Sequence, residues 1–348
     1  MDFIAARGEG GPGVLELSTG DRPEPAADEV LIKVAACGVN APDIAQRRGR
    51  YDPPPGHSDI IGLEVAGIVE NAGTGAGQWA AGDRVMALCN GGGYAEYVAV
   101  PAGQVLGVPE GWSLIEAACL PETCFTVVQT LVMRAGLRAG MAVVIHGAAG
   151  GLGGMAVQIS RLYGARPIAL VSSAEKADYA NQLGASECIV HTEEDWVARV
   201  LALTDGHGAE RILDMVGGEE TNRNIEASAI GGHIVQVAAL GGKVDRFNVG
   251  AMVVKQLTLS GSTLRGRTNE TKAKIAEVLG GTVWNALANG QIVKPQIRPF
   301  ALGDAAAAHE LFETRTFFGK IALVTNYGVQ TGWPSGQLGH QTGTSFTG

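Results

Sequence analysis

From residue 142 onward the chain alternates short β-like runs with longer mixed stretches. The runs 142–146, 167–171, 187–190, 210–214, 233–237 and 257–261 predict strands, and 151–163, 174–183, 195–203 and 221–228 predict the helices between them. Strands alternating with helices point to an α/β doubly wound parallel sheet. Ahead of it, residues 1–120 hold short β-like runs ("EVLIKVAACGV", "VAGIVENAG", "DRVMAL", "YAEYVAV") cut by Gly and Pro. They predict a partly antiparallel, partly β-barrel domain. After it, "ETKAKIAEVLGGTVWNAL" reads as a helix, and "QIRPF" and "KIALVTN" return to strands like those of the first domain. The expected division is 1–120, first part of one domain; 121–265, the parallel-sheet domain; 266–326, second part of the first domain. The end, 327–348, is rich in Gly, Thr, Ser and Gln, and is expected to be disordered.

Composition narrows the class. The chain has 348 residues, 46% of them hydrophobic, enough for two domains with sizeable cores. Its net charge of -9 argues against nucleic acid or an anionic membrane as the main partner, and leaves room for a local basic pocket for one phosphate. The cysteines, at 37, 89, 119, 124 and 188, are odd in number and form no Cys-x-x-Cys pair, which suggests reduced thiols. The N-terminus shows no basic stretch followed by an apolar one, so the expected location is cytoplasmic.

The chemistry begins at Ala148-Ala149-Gly150-Gly151-Leu152-Gly153, between the first predicted strand and helix of the sheet domain. This is the dinucleotide fingerprint with Ala at its first glycine position. Gly150 lets a pyrophosphate approach the backbone, Gly153 lets helix and strand pack closely, and the helix start offers free N–H groups. The second strand ends Val171-Ser172-Ser173, with Lys176 one helical turn later, where an enzyme selecting NAD usually has Asp or Glu. Two hydroxyls and an ammonium suit a 2′-phosphate, so the expected cofactor is NADPH. The rival readings are that Ser173 merely caps the helix, that Lys176 is a solvated surface charge, and that Glu175 holds a ribose of NADH.

The segments "GGPGVLEL", "CGVNAPDIAQRRGRYDPPPG", "GLEVAGIVENAG", "AGDRVMAL", "HGAAGGLG" and "GSTLRGR" together resemble the zinc-independent quinone oxidoreductases. These belong to the medium-chain dehydrogenase/reductase (MDR) superfamily, and the likeness is greatest to the p53-inducible type. The resemblance runs from residue 1 to about 326 and implies a GroES-like catalytic domain, a Rossmann cofactor domain, NADPH and a homodimer. In zinc-dependent members the first metal ligand is a Cys where this chain has Asn40. The second is the His of a Gly-His-Glu where it has Gly62-Leu63-Glu64, and the third falls near Glu122. An amide and a leucine do not hold zinc, and the four-cysteine lobe is missing, so no metal is expected.

Without a Lewis acid to polarise a carbonyl, electron-poor acceptors become the expected substrates: a quinone, or alternatively an enone or enal. A third reading is an NADPH-binding protein with a non-catalytic or regulatory role. The resemblance places Asn40 beside the nicotinamide, where its amide can donate to the acceptor oxygen or to the ribose. Tyr51, on a proline-stiffened loop, is the second catalytic candidate, to stack on a quinone or donate its proton. Asp43 reads as a helix cap, and Tyr94 either as a weaker pocket candidate or as a residue packed on its strand. The resemblance further implies cofactor contacts from Thr126, from Val237, Ala238 and Leu240, from Leu264 with its neighbours Ser262, Thr263 and Arg265, and from Arg315 near the 2′-phosphate. His191 stands where some relatives have a Tyr against the adenine. His146 and His233 read as packed core histidines.

Overall fold

The computed structural model describes residues 1–331. The chain divides into two compact units, residues 1–122 with 296 onward, and residues 123–295.

In the first unit the Glu29–Val39 strand is buried along most of its length and forms the spine of a seven-stranded sheet. The order across it is Ile297–Ala301, Lys320–Val324, Glu29–Val39, Glu64–Ala72, Arg84–Leu88, Val105–Gly107, with Tyr97–Pro101 also paired to the spine. All pairs are antiparallel except Ile297–Ala301 with Lys320–Val324. The core between the folded-over faces is aliphatic, built on Val30, Ile32, Val34, Val65, Val85, Val100 and Leu323. A separate hairpin, Asp2–Ala6 with Leu15–Thr19, lies outside this sheet.

The second unit is a six-stranded parallel sheet with the order Glu187–Val190, Arg166–Val171, Ala142–Ile145, Ala209–Asp214, Ser228–Gln236, Thr258–Gly261. Helices Gly151–Leu162, Ala174–Gln182, Trp196–Leu203 and Glu220–Ala227 connect its strands. Numbered along the chain, the order is 3-2-1-4-5-6, the doubly wound Rossmann arrangement. Its direction reverses beside the first strand, where such sheets open a ligand crevice. The helix Pro121–Val127 continues as a π-helical turn, Val128–Arg134, closed by Ala135 N donating to Thr130 O at 2.9 Å. The Leu114–Arg134 stretch is long and apolar enough to cross a membrane by length and composition, and 78% of its window is buried inside the protein.

Two expectations are corrected. Residues 266–295 belong to the second unit, and the chain returns to the first at Gln296. The helix Asn269–Ala288 packs there against the Gly151–Leu162 helix and the Val128–Arg134 turn. Buried Lys272 donates to Arg265 O at 2.9 Å, and Val293 N donates to Gln158 Oε1, on the Gly151–Leu162 helix, at 2.6 Å. The expected disordered end begins too early. Asn326–Gln330 is a helix capped by Thr325, and Gly328 lies so close to Ala35 O that a Cβ would meet it at 2.0 Å. Residues 332–348 of that expectation lie outside the described residues.

Candidate functional site

In the first unit, Asn40 ends the spine strand and caps the helix Ala41–Arg47. Its backbone N–H donates to Asp43 Oδ2 at 2.7 Å. Its side chain joins a buried ion pair. Lys320 Nζ donates to Asn40 Oδ1 and to Glu64 Oε1, each at 2.6 Å, and Asn40 Nδ2 donates to Glu64 Oε1 at 2.8 Å. The second carboxylate oxygen of Glu64 accepts the Glu122 N–H at 2.9 Å. Gly38 makes room for this: a Cβ there would lie 2.0 Å from Glu64 Oε1. Burial opposes charge on Lys320, but the adjacent Glu64 carboxylate more than offsets it and holds the ammonium above its ordinary pKa.

A second chain of groups reaches Asn40 from the other side. Arg47, fully buried, pairs with Glu313 and contacts His309 Nδ1 at 3.2 Å. A guanidinium only donates, so Nδ1 accepts and Nε2 carries the ring proton. Nε2 then donates to the Tyr94 hydroxyl at 2.9 Å, and Tyr94 donates to Asp43 Oδ2 at 3.3 Å. Burial, and then the Arg47 charge, lower the His309 pKa to about 3. Burial, and then Asp43, push the Tyr94 phenol well above its ordinary range. Tyr94 is wholly buried, so it packs in this network and does not line a pocket. Nearby Cys37 and Cys119 are buried thiols. Burial pushes both pKa values up, Cys119 to about 12 although Lys320 pulls it down.

In the second unit, the turn Gly147–Gly150 joins the first strand, Ala142–Ile145, to the helix Gly151–Leu162. That helix has no side-chain cap at its N-terminus. A Cβ on Gly153 would lie 2.3 Å from Gly147 O and 2.7 Å from Ala148 Cα, so the helix and turn touch there. On Gly150 a Cβ would meet only Gly147 O, at 3.4 Å, an ordinary contact. The fold therefore requires Gly153, whereas Gly150 leaves open space against the backbone, as a bound pyrophosphate needs. At the end of the second strand, Ser173 Oγ caps the next helix by accepting from Lys176 N at 3.4 Å. Lys176 Nζ turns back to donate to Ser172 Oγ at 3.0 Å. Hydroxyl, ammonium and helix start thus converge, while Glu175 is exposed in the helix's first turn. These residues fit a dinucleotide, whose phosphates the turn and helix starts would hold.

Residues 26–110 match the family model described as alcohol dehydrogenase GroES-like domain, and 151–279 the one described as zinc-binding dehydrogenase. A quinone oxidoreductase of Pseudomonas aeruginosa is 33% identical over 318 residues, covering 90% of this chain and 97% of that protein. The chain belongs to the zinc-independent quinone oxidoreductase family. Among solved structures similar to it, Escherichia coli quinone oxidoreductase complexed with NADPH has a TM-score of 0.82 at 29% identity, covering 93% of this chain and 100% of that one. An NAD-dependent alcohol dehydrogenase has a TM-score of 0.83 at 30% identity, covering 93% and 99%. This family member is accordingly an MDR oxidoreductase that uses a nicotinamide cofactor.

The residues expected for its cofactor and substrate fall in both units. Ala148, Gly150, Gly151, Leu152, Gly153, Ser172, Ser173, Lys176, His191, Val237, Ala238 and Leu240 all lie at the C-terminal edge of the parallel sheet. There His191 N donates to Val171 O at 3.0 Å and Val237 N to Asp214 O at 2.8 Å. Thr126 belongs to the same unit, as does buried Leu264. Asn40, half-buried Tyr51 and Arg315 belong to the first unit, Arg315 with the left-handed φ of +56° that closes the Ala305–Thr314 helix. His146 is packed: its Nε2 meets Asn224 Oδ1 at 2.7 Å, and its ring lies edge-on to Trp196. His233 meets Ser260 Oγ at 2.8 Å.

The sequence reading missed two groups. Glu64 and Lys320 were readable only as a motif position and a strand end; the signal was a lysine opening the otherwise apolar run "KIALV", all of it buried. The other is Asp214, wholly buried at the end of the fourth parallel strand. It accepts from Val216 N at 2.6 Å, from Gly217 N at 3.0 Å and from Asn224 Nδ2 at 2.8 Å. Through Asn224 it connects to His146, so one network links the loops after the first and fourth strands.

Proposed function

We propose that the chain is an NADPH-dependent quinone reductase that transfers hydride without a metal. The observation that carries the reading is the open Gly150 turn at the switch point of the parallel sheet, with Lys176 folded onto Ser172 one strand away. NADPH, when bound, supplies the hydride. The glycine turn and the Gly151–Leu162 helix start hold its pyrophosphate, and Ser172, Ser173 and Lys176 hold its 2′-phosphate. Arg315 adds a cation to that phosphate, and His191 stacks on the adenine. Thr126, Val237, Ala238, Leu240 and Leu264 flank the nicotinamide half. Asn40's amide gives one N–H to Glu64 and another, at 3.5 Å, to Gly38 O, and its oxygen accepts from Lys320, so the side chain is held in one orientation. Oxyanion stabilisation and the proton then fall to Tyr51.

We further propose a cytoplasmic homodimer. The five cysteines form no disulfide, which suits a reducing compartment. The Thr258–Gly261 strand forms an edge of the parallel sheet, with exposed Leu259 on it and Val253 and Val254 on the preceding helix, the last 77% exposed.

The test is the consumption of NADPH, and separately of NADH, with a 1,2-quinone, a 1,4-quinone and a simple enone, alongside Lys176→Ala. Quinone-dependent NADPH oxidation is expected. The variant should lose NADPH affinity by roughly tenfold, as for one charge-assisted contact, with NADH affinity unchanged. Turnover of the enone alone makes the chain an alkenal reductase. Binding without turnover of any acceptor makes it a non-catalytic NADPH protein, and a preference for NADH overturns the phosphate assignment.

A further inference from the structure

The crevice at the switch point of the parallel sheet has two lips, both within the second unit. One is the Gly147–Gly150 turn after the first strand, the other the Met215–Gly218 loop after the fourth, its neighbour in the sheet. The second lip is built around Asp214. An apolar side chain would fill that wholly buried place at lower cost. What the carboxylate adds is direction. It only accepts, so it turns the Val216 and Gly217 N–H groups inward. The Val216 carbonyl is left to face the other way, where it accepts from Gly241 N at 2.7 Å. The loop is thus stitched between Asp214 and the segment after the fifth strand.

The other carboxylate oxygen orients Asn224. Its Nδ2 must face Asp214, so its Oδ1 faces His146, and His146 Nε2 is the donor at 2.7 Å. His146 is the residue before Gly147. Met215 makes a second connection, because a Cβ on Gly147 would lie 3.2 Å from its sulfur. The two lips are therefore tied to each other twice, once by hydrogen bonds and once by packing. Asp214 and Asn224 are both 0% exposed, so they act on a ligand only through the lips they hold.

We propose that Asp214, Asn224 and Met215 are positioning residues for the dinucleotide, keeping the glycine turn in the shape that receives its pyrophosphate. The inference rests on the proposed function only in placing the pyrophosphate at that turn, and it needs no particular acceptor.

The variants are Asp214→Asn, Asn224→Asp, the swap that combines them, and Met215→Ala. Asp214→Asn sets N–H against N–H, and Asn224→Asp sets carboxylate against carboxylate. The swap restores every bond with the charge moved one place: Asn at 214 donates to Asp at 224, whose second oxygen accepts from His146. Calorimetry gives the affinity for NADPH and for NADH, beside melting temperature and hydrogen exchange at the Val216 and Gly217 amides. Each single variant is expected to lose protection at those amides. Each should also weaken both nucleotides by the same factor, on the order of tenfold, as when the receptive turn is formed a tenth of the time. The swap should return close to the parent. The equal loss is the signature of the shared pyrophosphate, whereas Lys176→Ala acts on NADPH alone. Single variants that melt lower yet bind both nucleotides as the parent does would make the network structural only and overturn the inference. A loss confined to NADPH, or a swap that binds no better than the single variants, would overturn it as well. Should the single variants not fold, half-buried Met215→Ala decides: weaker binding of both nucleotides upholds the inference, and parental binding overturns it. A parent that binds nucleotide but turns over no quinone refutes the proposed function alone, and a parent that binds neither nucleotide refutes both.

Discussion

Gly150 and Gly153 stand three residues apart in one turn and are glycine for different reasons. A methyl on Gly153 would sit inside van der Waals contact of Gly147 O and Ala148 Cα, backbone atoms that cannot swing aside. Gly153→Ala is expected to cost about 1–3 kcal/mol of stability, read from a urea transition. Gly150→Ala should leave that transition in place, since its methyl meets only an ordinary contact, yet weaken NADPH at least about tenfold by occupying the pyrophosphate's space. The glycine pattern was legible in the sequence because spacing alone reports it. The partners of Asn40 were not. Glu64 lies 24 residues away and Lys320 lies 280 away, and only strand pairing brings them to one amide.

Helix Ala41–Arg47 and helix Ala305–Thr314 are connected by the Arg47–His309–Tyr94–Asp43 chain, and His309 makes that connection sensitive to acid. Its pKa falls from an ordinary 6.5 to about 3. Above about pH 6.5 the imidazole is neutral in both the folded and the unfolded chain, and its full contribution is present. Between there and about pH 3 only the unfolded chain takes the proton, so stability falls as pH falls. The urea midpoint should drop from pH 7 to pH 4, and His309→Gln, which has no proton to gain, should flatten part of that drop. An equal drop in the variant would assign the acid sensitivity to other groups. At this scale the sequence told most about the parallel-sheet unit, where each apolar run is one strand and each connection one helix. It told less where assignment depends on distant partners. "ETKAKIAEVLGGTVWNAL" reads plainly as a helix, but the unit that owns it is decided by its packing on the Gly151–Leu162 helix, which Val293 N also reaches at Gln158. The short Asn326–Gln330 helix was hidden in a polar stretch because its support is Ala35, at the far end of the chain.

Across the whole molecule, the sheet edge at Thr258–Gly261 is expected to form the contact between two copies. Leu259→Lys places a charge in the middle of that edge, and light scattering coupled to size exclusion should show its mass halved relative to the parent. Unchanged mass would place the contact elsewhere or make the parent a monomer. The division of the chain into 1–122 and 296 onward around a continuous 123–295 has a consequence in time as well as in space. The parallel-sheet unit has all its residues in one segment and can complete its core as soon as the ribosome has released it. The first unit has to wait: its Lys320–Val324 strand, which pairs with Ala36–Val39, emerges about 280 residues after that partner. Until then Glu64 keeps its water and Asn40 has no ammonium beside it. The amide's orientation is thus among the last features of the native state to form, and it forms only in a chain whose cofactor unit has already been made.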